Sequence, residues 1–280
     1  MPRHPQAVVR PVSTVIAIVA ISLLAIAPAH AAPATECTVI NACFCINTDF
    51  RAAIDDKVAY YRRAIADQKA KGKAIGYMSV PLSTAGGSYF GVNREVAEAI
   101  KQRVEARFGE NSLWLLNPTA KEADLPAQNG VRAGQGDYLL MWARILEGPK
   151  GMGEDFDFVY FVGPSDYAAH FGLTGKGDLD RLAVYFNERL QTDADLKRAV
   201  ERGTVTAASF RNFYGLRASV AFSVGAHDEW NVVRTVNARR RDDAKFGLAN
   251  QLPVMFDGRA ASSAEAEQGV ATGNAGACKP

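Results

Sequence analysis

Histidine is scarce in this chain: there are four among 280 residues, and only His170 and His227 lie beyond residue 31. Two histidines without a second matched pair of ligands do not make a metal centre, so no metal is expected. The motifs that cradle phosphates are missing as well. Neither GxxxxGK[ST] nor GxGxxG occurs, which removes the Walker loop and the dinucleotide fingerprint, and no cofactor is implied. A G-x-S-x-G elbow is also lacking, which argues against a Ser-His-Asp hydrolase of that type. Net charge is small, +2. Without Arg3 and Arg10 the basic and acidic residues are equal in number, so no general pull toward nucleic acid or an anionic membrane is expected.

What is present begins with an export-type leader. Arg3 and Arg10 form a positive start, residues 15–27 an apolar run, and Ala29-His30-Ala31 a small-residue cleavage pattern. The run is shorter than the roughly 20 residues a spanning helix needs. The chain is therefore expected to lose residues 1–31 and to act in the periplasm or outside the cell. About 250 residues remain, enough for one large domain or two small ones.

All four cysteines lie beyond the leader: Cys37, Cys43, Cys45 and Cys278. Export and an even count predict disulfides, with three pairings open. A bond from Cys278 to any of the first three would join the two ends. On the chain-entropy argument a loop of that size adds about 4–5 kcal/mol. The spacing Cys43-Phe44-Cys45 is unusual for a zinc pair.

Further along, apolar residues at spacings of three and four predict a helix from Asn47 or Thr48 to about residue 71. A buried strand at 74–82 follows, then a small-residue loop at 83–91 and a helix capped by Asn93. The run 113–117 reads as a second strand, closed by Pro118. The polar stretch 119–136 is long for a connection, which favours a functional or covering loop. A helix at 137–147 and a third strand at 156–162 come next. Helices are expected at 179–190 and 193–202, a fourth strand at 218–224, and a last helix at 228–246. The run Arg239-Arg240-Arg241 reads as a solvated face. The expected architecture is α/β with a mainly parallel central sheet flanked by helices, Rossmann-like or flavodoxin-like, as one domain over 32–256. Residues 257–280 read as a flexible tail carrying Cys278.

In such a sheet, ligands bind beyond the carboxyl ends of the strands. That places candidate ligand contacts at Ser83, Thr84, Gly86, Gly87, Ser88, Tyr89, Asn93 and Asn117. The glycines allow close backbone approach, the hydroxyls donate, and Tyr89 can stack on a ring. Asp166, just past the third strand, and Asp137 are the acid–base candidates, though each also fits a helix cap. In His227-Asp228-Glu229, adjacent side chains seldom point at one centre, and Asp228 reads as a cap.

The order Tyr77-Met-Ser-Val-Pro81, a small-residue loop, a glutamate-bearing helix, Leu115-Leu-Asn-Pro118, Asp137 and Asp157-Phe-Val-Tyr-Phe161 resembles the nucleoside 2-deoxyribosyltransferase-like group over residues 74–166. The resemblance implies a parallel sheet and a nucleoside-like pocket. It also implies a nucleophilic glutamate on the helix after the third strand, about six residues past an aspartate. Gly172 stands there, and no glutamate occurs between Glu154 and Glu188, so covalent glycosyl transfer lacks its nucleophile. The expected function is binding of a small nucleotide- or sugar-like ligand, with hydrolysis or glycosyl transfer if the protein is catalytic. The competing expectation is a non-catalytic envelope protein that binds a protein partner.

Overall fold

Three apolar runs become strands: β3 (Ala74–Ser79), β4 (Leu113–Leu116) and β5 (Phe158–Phe161). In this computed structural model, which describes residues 32–82, 85–218, 223–243, 250–271, 273 and 276–278, the three lie parallel with β3 in the middle. Tyr77 pairs with Leu116 on one side and Val159 on the other. A fourth parallel strand, β6 (Val254–Phe256), joins β5, and the short β7 (Arg259–Ala260) turns back against β6. The order is β4-β3-β5-β6-β7.

Successive side chains of β3 point to opposite faces. Tyr77 and Ser79 face the side covered by α1 (Arg51–Ala70), α3 (Gln135–Glu147) and α8 (Val224–Asp242). The opposite side carries α2 (Phe90–Phe108) and α4 (Pro164–Phe171), where Tyr160 of β5 meets Arg103 and Asp166. Ala31–Pro280 forms one compact unit.

Several expectations change. Of the strand expected at 218–224, residues 219–222 lie outside those described, while Val224 opens α8 behind its cap Ser223. The fourth strand comes instead from 254–256, a run too short to show periodicity between Pro253 and the turn at Asp257. Described residues of the expected flexible tail are ordered by β7, by α9 (Ser263–Glu267) and by a disulfide. Arg240 is buried rather than solvated, because its guanidinium donates to the carbonyls of Met152, Gly153 and Asn250.

Two regions frame the sheet. The cysteine segment forms an antiparallel hairpin, β1 (Pro33–Cys37) with β2 (Cys43–Asn47). It docks on α3, where the Glu147 carboxylate accepts from Val39 N and Ile40 N. Its disulfides are Cys37–Cys43 and Cys45–Cys278, so Cys278 does tie the two ends together. Two disulfides point to a non-cytoplasmic, oxidising environment. Among the described residues no helix is long and apolar enough to cross a membrane.

The second region is helical: α5 (Asp178–Thr192), α6 (Ala194–Glu201), α7 (Ala207–Asn212) and a π turn at Phe213–Arg217. Phe171, Tyr185, Phe186, Phe210 and Tyr214 pack their rings together there, with centroids 4.5–6.5 Å apart. This aromatic cluster sits over the start of α2, since the Tyr214 hydroxyl meets both Tyr89 and Asn93.

Candidate functional site

The residues named from sequence divide into separate places. Ser83 and Thr84 lie outside those described. Gly86 and Gly87 take φ of 75° and 103°, but the turn they form is pressed against α7. A Cβ on Gly87 would lie 2.3 Å from the Ser209 carbonyl oxygen, so its bareness serves packing. Ser88 and Tyr89 are buried. Tyr89 N donates to the Tyr214 hydroxyl, and the Tyr89 hydroxyl donates to Asp193 Oδ1 at 2.9 Å. Asn93 is not a cap. It lies inside α2, fully buried, and accepts from the Tyr214 hydroxyl at 2.8 Å.

Asn117 accepts from Thr119 N and Thr119 Oγ1, both at 2.9 Å, and donates to Glu98. It borders an open polar cavity of about 370 Å³ with Arg94, Glu95 and Arg189, in which Arg189 is paired with Glu95 and Asp193.

The two aspartates do not converge. Asp137 caps α3 by accepting from Gly134 N at 2.7 Å and holds β2 by accepting from Asn47 N at 2.9 Å. Asp166 caps α4 by accepting from Gly163 N at 3.0 Å, while Tyr160 and Arg103 also donate to it. They act from opposite faces of the sheet, with no partner in common. Asp166 does border a cavity of about 230 Å³ with Arg103, Arg107, Ser165 and Asp257. The free amide at the start of α4 is taken within the chain, because Ser165 N and Oγ both donate to the Asp257 carboxylate. His170 stands against Phe171, and burial pushes its pKa down.

Glu229, set aside from sequence with the rest of His227-Asp228-Glu229, holds a different position. It projects from the second turn of α8 onto the end of β3. Tyr77 Oη donates to Glu229 Oε1 and Ser79 Oγ to Glu229 Oε2, both at 2.5 Å. Tyr77 and Ser79 are fully buried, and Glu229 is 8% exposed. Alternation along the strand explains the pair, since i and i+2 share a face. The Tyr77 ring is fixed between Trp142 and Phe156, with centroids 6.1 and 5.6 Å away, and that aims its hydroxyl. Beside it, Phe161 packs on Trp230 at 4.7 Å and pins the same turn of α8 to β5.

Burial dominates the electrostatics. It pushes the Glu229 carboxyl up to about 7, against the pull of the Ser79 and Tyr77 hydroxyls, and the neighbouring Asp228 charge adds to the rise. Burial and the facing carboxylate raise Tyr77 well above its ordinary value, so the phenol stays a donor. A carboxyl that titrates near neutrality can both take and give a proton, and in its ionised form can act as a nucleophile. Its place is also special. β3 is flanked by strands on both sides, and the helices that follow β3 and β4 pack on opposite faces, which makes the end of β3 the kind of position where ligands bind in open α/β sheets.

Asp228 is not the cap of α8, which is Ser223. It is buried and accepts from Gly273 N at 2.9 Å. Among the described residues no group of three His, Cys, Asp or Glu is placed to hold a metal ion. No family model, curated protein or solved structure compared with this chain matches it.

Proposed function

We propose that this is an exported protein, periplasmic or secreted, that binds a small nucleotide- or sugar-like ligand beyond the end of β3 and carries out hydrolysis or group transfer there with Glu229. The single observation behind this is a buried carboxyl with a pKa near 7, held by two hydroxyls, at the end of β3, the strand from which the described sheet is wound in both directions. Export is supported by the leader pattern in residues 1–31 and by the two disulfides. The order β4-β3-β5-β6 supports a flavodoxin-like arrangement, in which the first strand lies between the second and the third.

The resemblance to the nucleoside 2-deoxyribosyltransferase-like group gains support of a specific kind. Its missing glutamate has a candidate on a later helix, bonded to Tyr77 of the Tyr77–Pro81 pattern. In that reading an ionised Glu229 attacks the anomeric carbon, the bond to the leaving base or alcohol breaks, and an acceptor hydroxyl or water then cleaves the glycosyl ester. In a hydrolase without that intermediate, Glu229 takes the proton of the attacking water.

The test is a thermal-shift screen of nucleosides, nucleotides and sugars on the mature chain and on Glu229→Gln. Hits are then assayed for released base or reducing sugar. A ligand-dependent shift with turnover that Glu229→Gln abolishes is expected. No shift from any of the three classes would overturn the reading and favour a scaffold that binds a protein partner.

A further inference from the structure

Glu229 is presented by α8, and the last described residues of the chain are fastened to the same turns of that helix. Trp230 Nε1 donates to Gln268 O at 3.0 Å, and Asn231 Nδ2 donates to Val270 O at 2.9 Å. Val270 N returns a bond to Asn231 Oδ1 at 3.3 Å, and Gly273 N donates to Asp228 Oδ1 at 2.9 Å. Gly273 lies so close that a Cβ there would stand 2.4 Å from the Val224 carbonyl oxygen. The strap then reaches the hairpin. Gly276 N donates to Cys43 O, Cys278 N to Thr35 Oγ1, and Cys278 closes the disulfide with Cys45. The residues it grips, 228, 230 and 231, bracket Glu229, whose own side chain points the other way, into β3.

None of the described residues of the strap, 268–271, 273 and 276–278, is buried. Apolar burial therefore does not hold it. The net gain of a hydrogen bond is no larger than the entropy lost on ordering a residue, so bonds of this kind keep the strap in place only if its end is anchored. Cys45–Cys278 is that anchor, with both cysteines partly exposed. Cys37–Cys43 joins the ends of a five-residue strand pair that is already hydrogen-bonded, so it anchors nothing remote.

We propose that the C-terminal strap is a positioning element for Glu229, latched by the Cys45–Cys278 disulfide and released by a dithiol reductant. The proposal rests on the reading of Glu229 as the centre of the site. In the switching step, one thiolate of the dithiol attacks a sulfur of the bond and displaces the other cysteine as thiolate. The second thiol then resolves the mixed disulfide. Cys45 and Cys278 end as thiols, the reductant as its disulfide, and two electrons and two protons have moved. Release breaks the strap's bonds to Asp228 and Asn231 and loosens the turn that carries Glu229. Tyr77 from β3 faces Glu229 as a titratable group, and the Asp228 charge acts on it from the adjoining position of its own helix.

The test compares three mature chains: unmutated, Cys45→Ser/Cys278→Ser, and Cys37→Ser/Cys43→Ser. The readouts are amide hydrogen exchange over residues 224–235 and the titration midpoint of Glu229 by carbon NMR. Loss of the latch is expected to speed exchange there about tenfold or more, and to lower the midpoint by about one unit as water reaches the carboxyl. The Cys37→Ser/Cys43→Ser chain should match the unmutated protein, reproduce the effect on treatment with dithiothreitol, and recover on reoxidation. Should the latch variant fail to fold, Asn231→Ala, with the disulfide intact, replaces it with the same expected direction. Unchanged exchange and midpoint would overturn the latch even if ligands bind. Changed exchange in a protein that no ligand shifts would support the latch while defeating the binding proposal.

Discussion

Replacing Glu229 by glutamine should change how stability depends on pH more than it changes stability itself. In the folded chain the carboxyl titrates at about 7, against an ordinary 4.5. A group with a raised folded pKa favours folding fully below its unfolded pKa, and that contribution is lost as pH rises through the folded value. The window is therefore about pH 4.5 to 7. The separation of about 2.5 units, at 1.36 kcal/mol each, amounts to about 3 kcal/mol when complete. Between pH 5 and pH 8 roughly 2–3 kcal/mol of it is traversed. Glutamine carries no such charge, so the difference between the unmutated chain and Glu229→Gln should move by about 2–3 kcal/mol in favour of the variant over that range. The Tyr77 and Ser79 hydrogen bonds favour the ionised form and are already contained in the folded value of about 7, so they add no further slope to the difference. Urea unfolding of both proteins at pH 5 and pH 8 measures it. A difference that stays constant with pH would refute the argument.

Other perturbations separate structural from functional groups. Tyr77→Phe removes a donor to the carboxylate, worth about 1.5–3 kcal/mol, so the Glu229 midpoint should rise by about one to two units in an NMR titration. Asp137→Ala deletes a helix cap that also holds β2, and should lower unfolding free energy by about 1–2 kcal/mol while leaving ligand binding intact. Gly87→Ala forces a side chain into the Ser209 carbonyl at positive φ, and should destabilise by about 1–3 kcal/mol in urea titrations. Loss of Cys45–Cys278, which closes a loop of 233 residues, should destabilise by about 5 kcal/mol, against about 2 kcal/mol for the short loop of Cys37–Cys43, on the chain-entropy argument.

The architecture was legible where the signal is local. Each of β3, β4 and β5 is an apolar run bounded by glycine or proline, and α1 and α3 carry apolar residues at helical spacing. What hid was non-local. The strand β6 is three residues long, and it is a strand because β5 offers it an edge, not because of its own pattern. The turn at Gly86-Gly87 looks like a ligand cradle in one dimension, yet α7, over a hundred residues later, fills the space it leaves. Arg240 sits between two partly exposed arginines, and only the carbonyls of Met152, Gly153 and Asn250 reveal its burial.

The centre of the site was hidden for a related reason. Tyr77 and Ser79 were visible as two polar side chains on one face of a buried strand, and buried hydroxyls require partners. That was the available signal. The partner is Glu229, 150 residues beyond Ser79, within a His-Asp-Glu run whose members point in different directions. Asp166 and Asp137 were the more conspicuous carboxylates because each follows a strand or loop end. The same position is where caps form, and both are engaged as caps.

A site-resolved carbon NMR titration of the Glu229 carboxyl, assigned by its loss in Glu229→Gln, measures directly the protonation state on which the proposed chemistry depends. A midpoint near 7 is the expected result. A midpoint near 4.5 would mean an ordinary solvated carboxylate, and would contradict a poised acid–base group at the end of β3.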